Sequence, residues 1–91
     1  MVDWSYRSNY INKHGVSSEE ADEAISDPAR VTLTPDPASI SGRSVRVIGY
    51  SMTASAVLTV IVLEHEGTTI GVNAWRANDL DRRRYNGTEK S

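Results

Sequence analysis

Residues 56–63, Ala-Val-Leu-Thr-Val-Ile-Val-Leu, form an almost unbroken aliphatic run. It is far too short to span a bilayer as a helix, and its β-branched content favours a strand. A strand without polar alternation needs cover on both faces, so this run should be the centre of a sheet. The neighbouring segments fit that requirement. Residues 44–50 alternate, with Val45 and Val47 against Arg46, Ile48 and Tyr50. After the aliphatic run, Glu64-His65-Glu66-Gly67 reads as a hairpin turn, Gly67 being suited to a positive φ. Residues 68–76 alternate again, which predicts Ile70, Val72 and Ala74 on one face and Thr69, Gly71, Asn73 and Trp75 on the other. A short strand is expected over residues 30–34, followed by a loop in which Pro35 and Pro37 stop the edge from continuing.

Helices should bracket this sheet. Residues 6–13 predict one, with Tyr6, Tyr10 and Ile11 spaced for one face and Gly15 as a left-handed stop. Ser17 and Glu20 have capping-box spacing, opening a helix to about residue 26. Its apolar stripe is Ala21, Ala24 and Ile25, and Asp27-Pro28 ends it. Asn78 is placed to cap a last helix running to Tyr85, stopped by Asn86-Gly87, with Leu80 as its apolar anchor. Two turns are marginal alone in water, so packing or a partner must hold that helix. The expected fold class is α+β: N-terminal helices on a four-stranded, mainly antiparallel sheet, with a short C-terminal helix. One domain should cover residues 1–85, with a flexible tail at 86–91.

Composition limits the function. The chain has 91 residues, 38% of them apolar, and no cysteine. That excludes a disulfide framework and suits a reducing cytoplasm. Residues 1–10 are polar and lack the apolar core of a signal peptide. With a pI near 5.6, the chain is not a bulk electrostatic nucleic-acid binder, so any such contact must come from a patch. Charge is segregated. Glu19, Glu20, Asp22, Glu23 and Asp27 fall within residues 17–27 without a basic residue. This block reads as a solvated helix face, with a partner-binding face as the sharper alternative. Four of the ten basic residues, Arg76, Arg82, Arg83 and Arg84, gather at the last strand–helix junction.

Arginine is the natural anion ligand, because its planar fork binds phosphate oxygens bidentately. Arg82, Arg83 and Arg84 are consecutive and fan across about 200° of a helix, so they cannot all meet one phosphate. Asp79 with Arg83 and Asp81 with Arg84 are spaced for intrahelical ion pairs of about 0.2–0.5 kcal/mol each. Arg76 at the strand end, and Arg46 on a neighbouring strand, are placed to converge with the helix arginines. Trp75 stacks on a base, is buried under a partner, or packs against Leu80. No Gly-rich phosphate loop, nucleophile elbow or zinc spacing occurs. Glu64, His65 and Glu66 alternate across a strand and cannot converge on a metal, so no metal site and no cofactor are expected.

Lys13-His14-Gly15-Val16-Ser17, followed by Glu20-Ala21 and Asp27-Pro28, resembles the N-terminal signature of BrnT-type toxins. Ile48-Gly49-Tyr50-Ser51 is similar to their second strand. Asn73-Ala74-Trp75-Arg76-Ala77 through Asp81-Arg82-Arg83-Arg84-Tyr85 resembles their SAR-x-A … ERRRY ending. The likeness runs in order over residues 4–85. It implies a RelE-like fold and a bacterial, cytoplasmic type II toxin that cleaves RNA without a metal and inhibits growth. It also implies an antitoxin partner carrying a ribbon-helix-helix DNA-binding domain, in a toxin–antitoxin heterotetramer or beside a toxin homodimer.

Cleavage of that kind uses the adjacent 2′-hydroxyl and needs a base, an acid, and cations for the developing phosphorane charge. Proton transfer would fall to His14, Tyr85 or a bound water, and charge stabilisation to Arg76 and Arg83. Lys13, Arg46, Trp75, Arg82 and Arg84 are the expected RNA contacts. For His14 the competing role is a helix-end contact with carbonyls. Departures from the family pattern support a second expectation. Trp4 is followed by Ser5-Tyr6 rather than an acidic pair, Trp75 stands where arginine is common, and the pI is acidic. These fit a relative with weak or no catalysis that serves as a binding module, a co-repressor held by a DNA-binding partner.

Overall fold

The computed structural model describes residues 2–87. Three helices, α1 (Ser8–Asn12), α2 (Ser18–Ile25) and α3 (Asp79–Asn86), accompany four strands. The strands are β1 (Val31–Leu33), β2 (Ser44–Ser51), β3 (Ala56–His65) and β4 (Thr68–Arg76). They lie in the order β1-β2-β3-β4, and each neighbouring pair is antiparallel. A parallel bridge from Asp3 to Ile70 brings the N-terminal segment alongside β4. The fold is therefore α+β, and β3 sits centrally as its composition requires. Leu58, Thr59, Val60, Ile61 and Val62 are all buried, so both of its faces are covered.

Directly opposed residues in a ladder share a face. Val47 opposes Val60 and Val60 opposes Ala74, and these three join Ile11, Val16, Ala21 and Ala24 in one core. That face carries α1 and α2. Arg46 opposes Ile61 and Thr59 opposes Trp75, so these residues look the other way, where α3 lies. Two glycines set the close approaches on the α1/α2 face. A Cβ on Gly49 would stand 2.0 Å from the Ala24 carbonyl oxygen, so α2 rests on the bare backbone of β2. A Cβ on Gly71 would stand 2.3 Å from the Trp4 ring, which occupies that space instead.

The β3–β4 register shifts between Ile61 and Val62, which oppose Asn73 and Gly71 and leave Val72 as an inserted residue. This bulge breaks the expected alternation of β4. Gly71 and Ala74 share the α1/α2 face, whereas Ile70, opposite Leu63, takes the other. Trp75 keeps its company with Asn73 but is parted from Thr69 and Gly71.

Local signals account for most boundaries. The Ser17–Glu20 capping box is formed in both directions. The Asn78 side chain accepts from the Asp81 amide, and Gly87 ends α3 at φ 73°. Glu66 and Gly67, at φ 50° and 81°, make a two-residue turn between His65 and Thr68, so β3 continues past residue 63. α1 is shorter than expected, since Arg7 at its N-cap position provides no side-chain cap. Asn86 and Gly87, assigned to the tail, are the last residue and cap of α3, while residues 88–91 lie outside the described residues. No described helix is long and apolar enough to cross a membrane.

The acidic block is less solvated than expected. Glu20 completes the capping box, and Asp22 accepts from Trp4 Nε1 at 3.0 Å. Glu23 accepts from the Ser51 and Thr53 hydroxyls, and Asp27 from the Tyr85 hydroxyl and Tyr50 amide. Glu23 and Asp27 thereby tie α2 and its exit loop to β2. Glu19 alone of the five is left fully on the outside.

Candidate functional site

The strand β4 delivers Arg76 to its end, and Asn78 starts α3 two residues on. The residue α3 buries is not its leucine. Leu80 is 39% exposed, whereas Asp81 is 0% exposed, against the expectation of an apolar anchor. Asp81 Oδ2 accepts from Thr59 Oγ1 at 2.7 Å and from an Arg46 terminal nitrogen at 2.9 Å. Its Oδ1 accepts from Arg84 at 2.8 Å. Arg46 Nε also donates to Asp36 Oδ1 at 2.8 Å, and its guanidinium stands 5.7 Å from the Trp75 ring centroid. The chain Asp36–Arg46–Asp81–Arg84 alternates in charge beneath α3, which is the condition for burying ions. No buried side-chain nitrogen or oxygen among the described residues lacks a hydrogen-bond partner.

This network changes the roles of several expected RNA contacts. Arg46 and Arg84 are engaged by buried carboxylates, and their charge is largely answered inside the fold. Arg82 pairs with Asp79 and donates to the Ala77 carbonyl at 2.8 Å. The Asp81–Arg84 pair matches its spacing. Asp79 takes Arg82 rather than Arg83. Arg83 lies about 200° around the helix from buried Asp81, so it faces outward. It is exposed, and its side chain has no hydrogen-bond or ion-pair partner among the described residues.

Arg76 is likewise exposed and without a side-chain partner among the described residues. It opposes Leu58, however, and therefore belongs to the α1/α2 side, while its neighbour Trp75 faces α3. Strand alternation thus prevents the expected convergence of Arg76 with Arg46 and the helix arginines. Trp75 is half-buried beside Arg46 rather than laid open for a base.

Tyr85 is also committed. Its hydroxyl donates to Asp27, which pushes the phenol above its ordinary value, with burial adding to the effect. The same bond, helped by the Tyr50 amide, holds the Asp27 carboxyl below its ordinary value. Tyr85 is therefore built to keep its proton, and it fastens the end of α3 to the loop after α2. Lys13 and His14 follow α1, exposed, with the His14 ring edge-on to Tyr10 at 5.2 Å. α1 packs on the face opposite α3, so His14 does not join the α3 arginines. His65 stands exposed at the hairpin tip, 3.4 Å from Glu66. Among the described residues no group of three or more His, Cys, Asp or Glu could hold a metal ion.

Sequence reasoning missed Asp36, Thr59 and the burial of Asp81. One signal was available: Thr59 is the single polar residue in the aliphatic run, and a buried hydroxyl needs a partner. Two surface grooves of about 380 and 350 Å³ flank α2, and neither is lined by the expected site residues other than through their neighbours Asp27 and Tyr50. The chain matches no protein-family model and no curated protein.

Proposed function

We propose that this chain is a RelE-like toxin of the BrnT type, acting in the bacterial cytoplasm as a metal-independent ribonuclease. A cognate antitoxin with a ribbon-helix-helix domain would neutralise it. The ordered sequence likeness over residues 4–85 and the helix–helix–sheet–helix arrangement support this reading. One observation carries it: the fold pairs Arg46, Arg82 and Arg84 with its own carboxylates yet leaves Arg76 and Arg83 exposed, without a side-chain partner among the described residues. Exposed, permanently charged guanidinium groups at the rim where β4 hands over to α3 are suited to phosphate contacts. In this reading Arg46, Arg84, Asp81 and Tyr85 hold α3 in place, Arg76 and Arg83 meet RNA, and His14 is the histidine free for proton transfer.

A second reading is favoured by a specific observation. The sheet separates His14 and Arg76 from Arg83, so the groups expected to share one transition state do not converge. A binding module that partners a DNA-binding protein needs no such convergence. Induced expression in a bacterial host distinguishes the two. The toxin reading expects growth arrest, relieved by Arg76→Ala or Arg83→Ala with the circular dichroism spectrum of the fold unchanged. Unimpeded growth on expression of folded wild-type chain would leave the binding-module reading in its place.

A further inference from the structure

The outer side of α1 is a surface that the α3 junction does not absorb. Residues 5–18 contain Arg7, Lys13 and His14 and no acidic residue, in a chain whose net charge is -2. Two tyrosines stand among these residues. Tyr6 is 77% exposed and Tyr10 41%. Their order is imposed by the fold. Arg7 Nε donates to the Val72 carbonyl on β4 at 2.9 Å, which fixes the guanidinium to the sheet edge. That guanidinium lies 4.3 Å from the Tyr10 ring centroid, and His14 abuts the same ring edge-on. Trp4, just before, is locked against Gly71 and by its bond to Asp22. Exposed aromatic rings on a clamped backbone, interleaved with cations, are the elements of a single-strand nucleic-acid platform: rings for bases, cations for phosphates.

We infer that Tyr6, Arg7, Tyr10, Lys13 and His14 form a docking surface for single-stranded RNA, with a base on the open Tyr6 ring and phosphates at Lys13 and His14. This rests on the RNA-directed reading above but names a surface on the other side of the sheet from α3. It gives the substrate strand a hold that does not depend on convergence of the arginines. A single strand presents a flat base and a phosphate at every step, which matches an open ring beside a lysine, whereas an acidic protein segment has no such regular pairing; RNA is favoured for that reason.

The experiment is anisotropy of a labelled, unstructured oligouridylate titrated with the full chain at several salt concentrations, alongside cleavage of a longer RNA. Tyr6→Ala should weaken binding roughly tenfold, since a lost stacking partner acts on affinity directly. Tyr6→Phe should keep it, because the ring and not the hydroxyl is used. Tyr6 is exposed, so both variants should retain the wild-type melting temperature. Lys13→Ala should lower the salt slope by about 0.7, one phosphate contact on a single strand. Wild-type chain that fails to bind, Tyr6→Ala binding as well as wild type, or polyglutamate displacing RNA from the wild-type surface at matched charge would each overturn the inference. Cleavage that persists unchanged in Tyr6→Ala with unchanged binding would sink this surface and leave the ribonuclease reading standing. Ring-dependent binding without any cleavage would do the reverse.

Discussion

Asp81 is the residue on which the α3 side of the molecule turns. A carboxylate with no solvent access is tolerated because Thr59, Arg46 and Arg84 all donate to it. Removing it would strand Arg46 and Arg84 beneath the helix with half their partners gone. Asp81→Ala should therefore cost about 3–5 kcal/mol, the usual penalty for breaking a buried pair by deleting one member. Urea unfolding of the two chains measures it, and a loss within about 0.5 kcal/mol of wild type would show that the network contributes little. Sequence spacing did reveal the Asp81–Arg84 pair. It could not reveal Arg46 as the third member, because that contact spans 35 positions of chain and depends on the face Arg46 takes in β2.

Among the elements, those whose signals are local were readable and those fixed by tertiary contact were not. The capping box of α2, the Asn78 and Gly87 caps of α3, the hairpin and the central β3 all follow from neighbouring residues. The bulge at Val72 does not. It arises where the Trp4 ring occupies the space above Gly71, and Trp4 is 67 residues away in sequence, a separation no window can see. The same limit explains why Leu80 looked like the anchor of α3. Only the docked helix shows that Asn78 and Thr59 turn Asp81 inward. The far end of α3 is fastened by Tyr85 on Asp27, and this bond has a pH signature. Asp27 is held below its ordinary 3.8, first by Tyr85 and then by the Tyr50 amide, so its contribution is present above 3.8 and is lost as pH falls through the folded value. Tyr85 is pushed above its ordinary 10.0 by the same bond, so its contribution is full below 10.0 and is lost as pH rises through the folded value. Tyr85→Phe should accordingly be less stable than wild type at neutral pH, with the two melting curves converging at both the acid and the alkaline end. A difference that stays constant from acid to alkaline pH would mean the bond is not formed.

At the scale of the whole molecule, the sheet is a partition. α1 and α2 cover one face with an apolar core, while α3 is joined to the other through the Arg46–Asp81–Arg84 ions. The basic residues divide accordingly. Arg46, Arg82 and Arg84 hold the architecture, and Arg76, Arg83, Lys13 and His14 remain on the outside. The gathering of arginines at the last strand–helix junction was legible in the sequence, but their partition between the two faces was not, because side-chain direction along β4 is settled only by register. The proposed role of the outward basic residues is RNA cleavage without a metal. The direct measurement is incubation of the purified chain with RNA in excess EDTA, with and without ribosomes, scored by cleavage products against Arg76→Ala and Arg83→Ala. Cleavage by wild type should survive the chelator and fall in Arg76→Ala or in Arg83→Ala, by about 10²–10³-fold for whichever guanidinium donates to the developing charge. Intact RNA under every condition, with a folded wild-type chain, would contradict it.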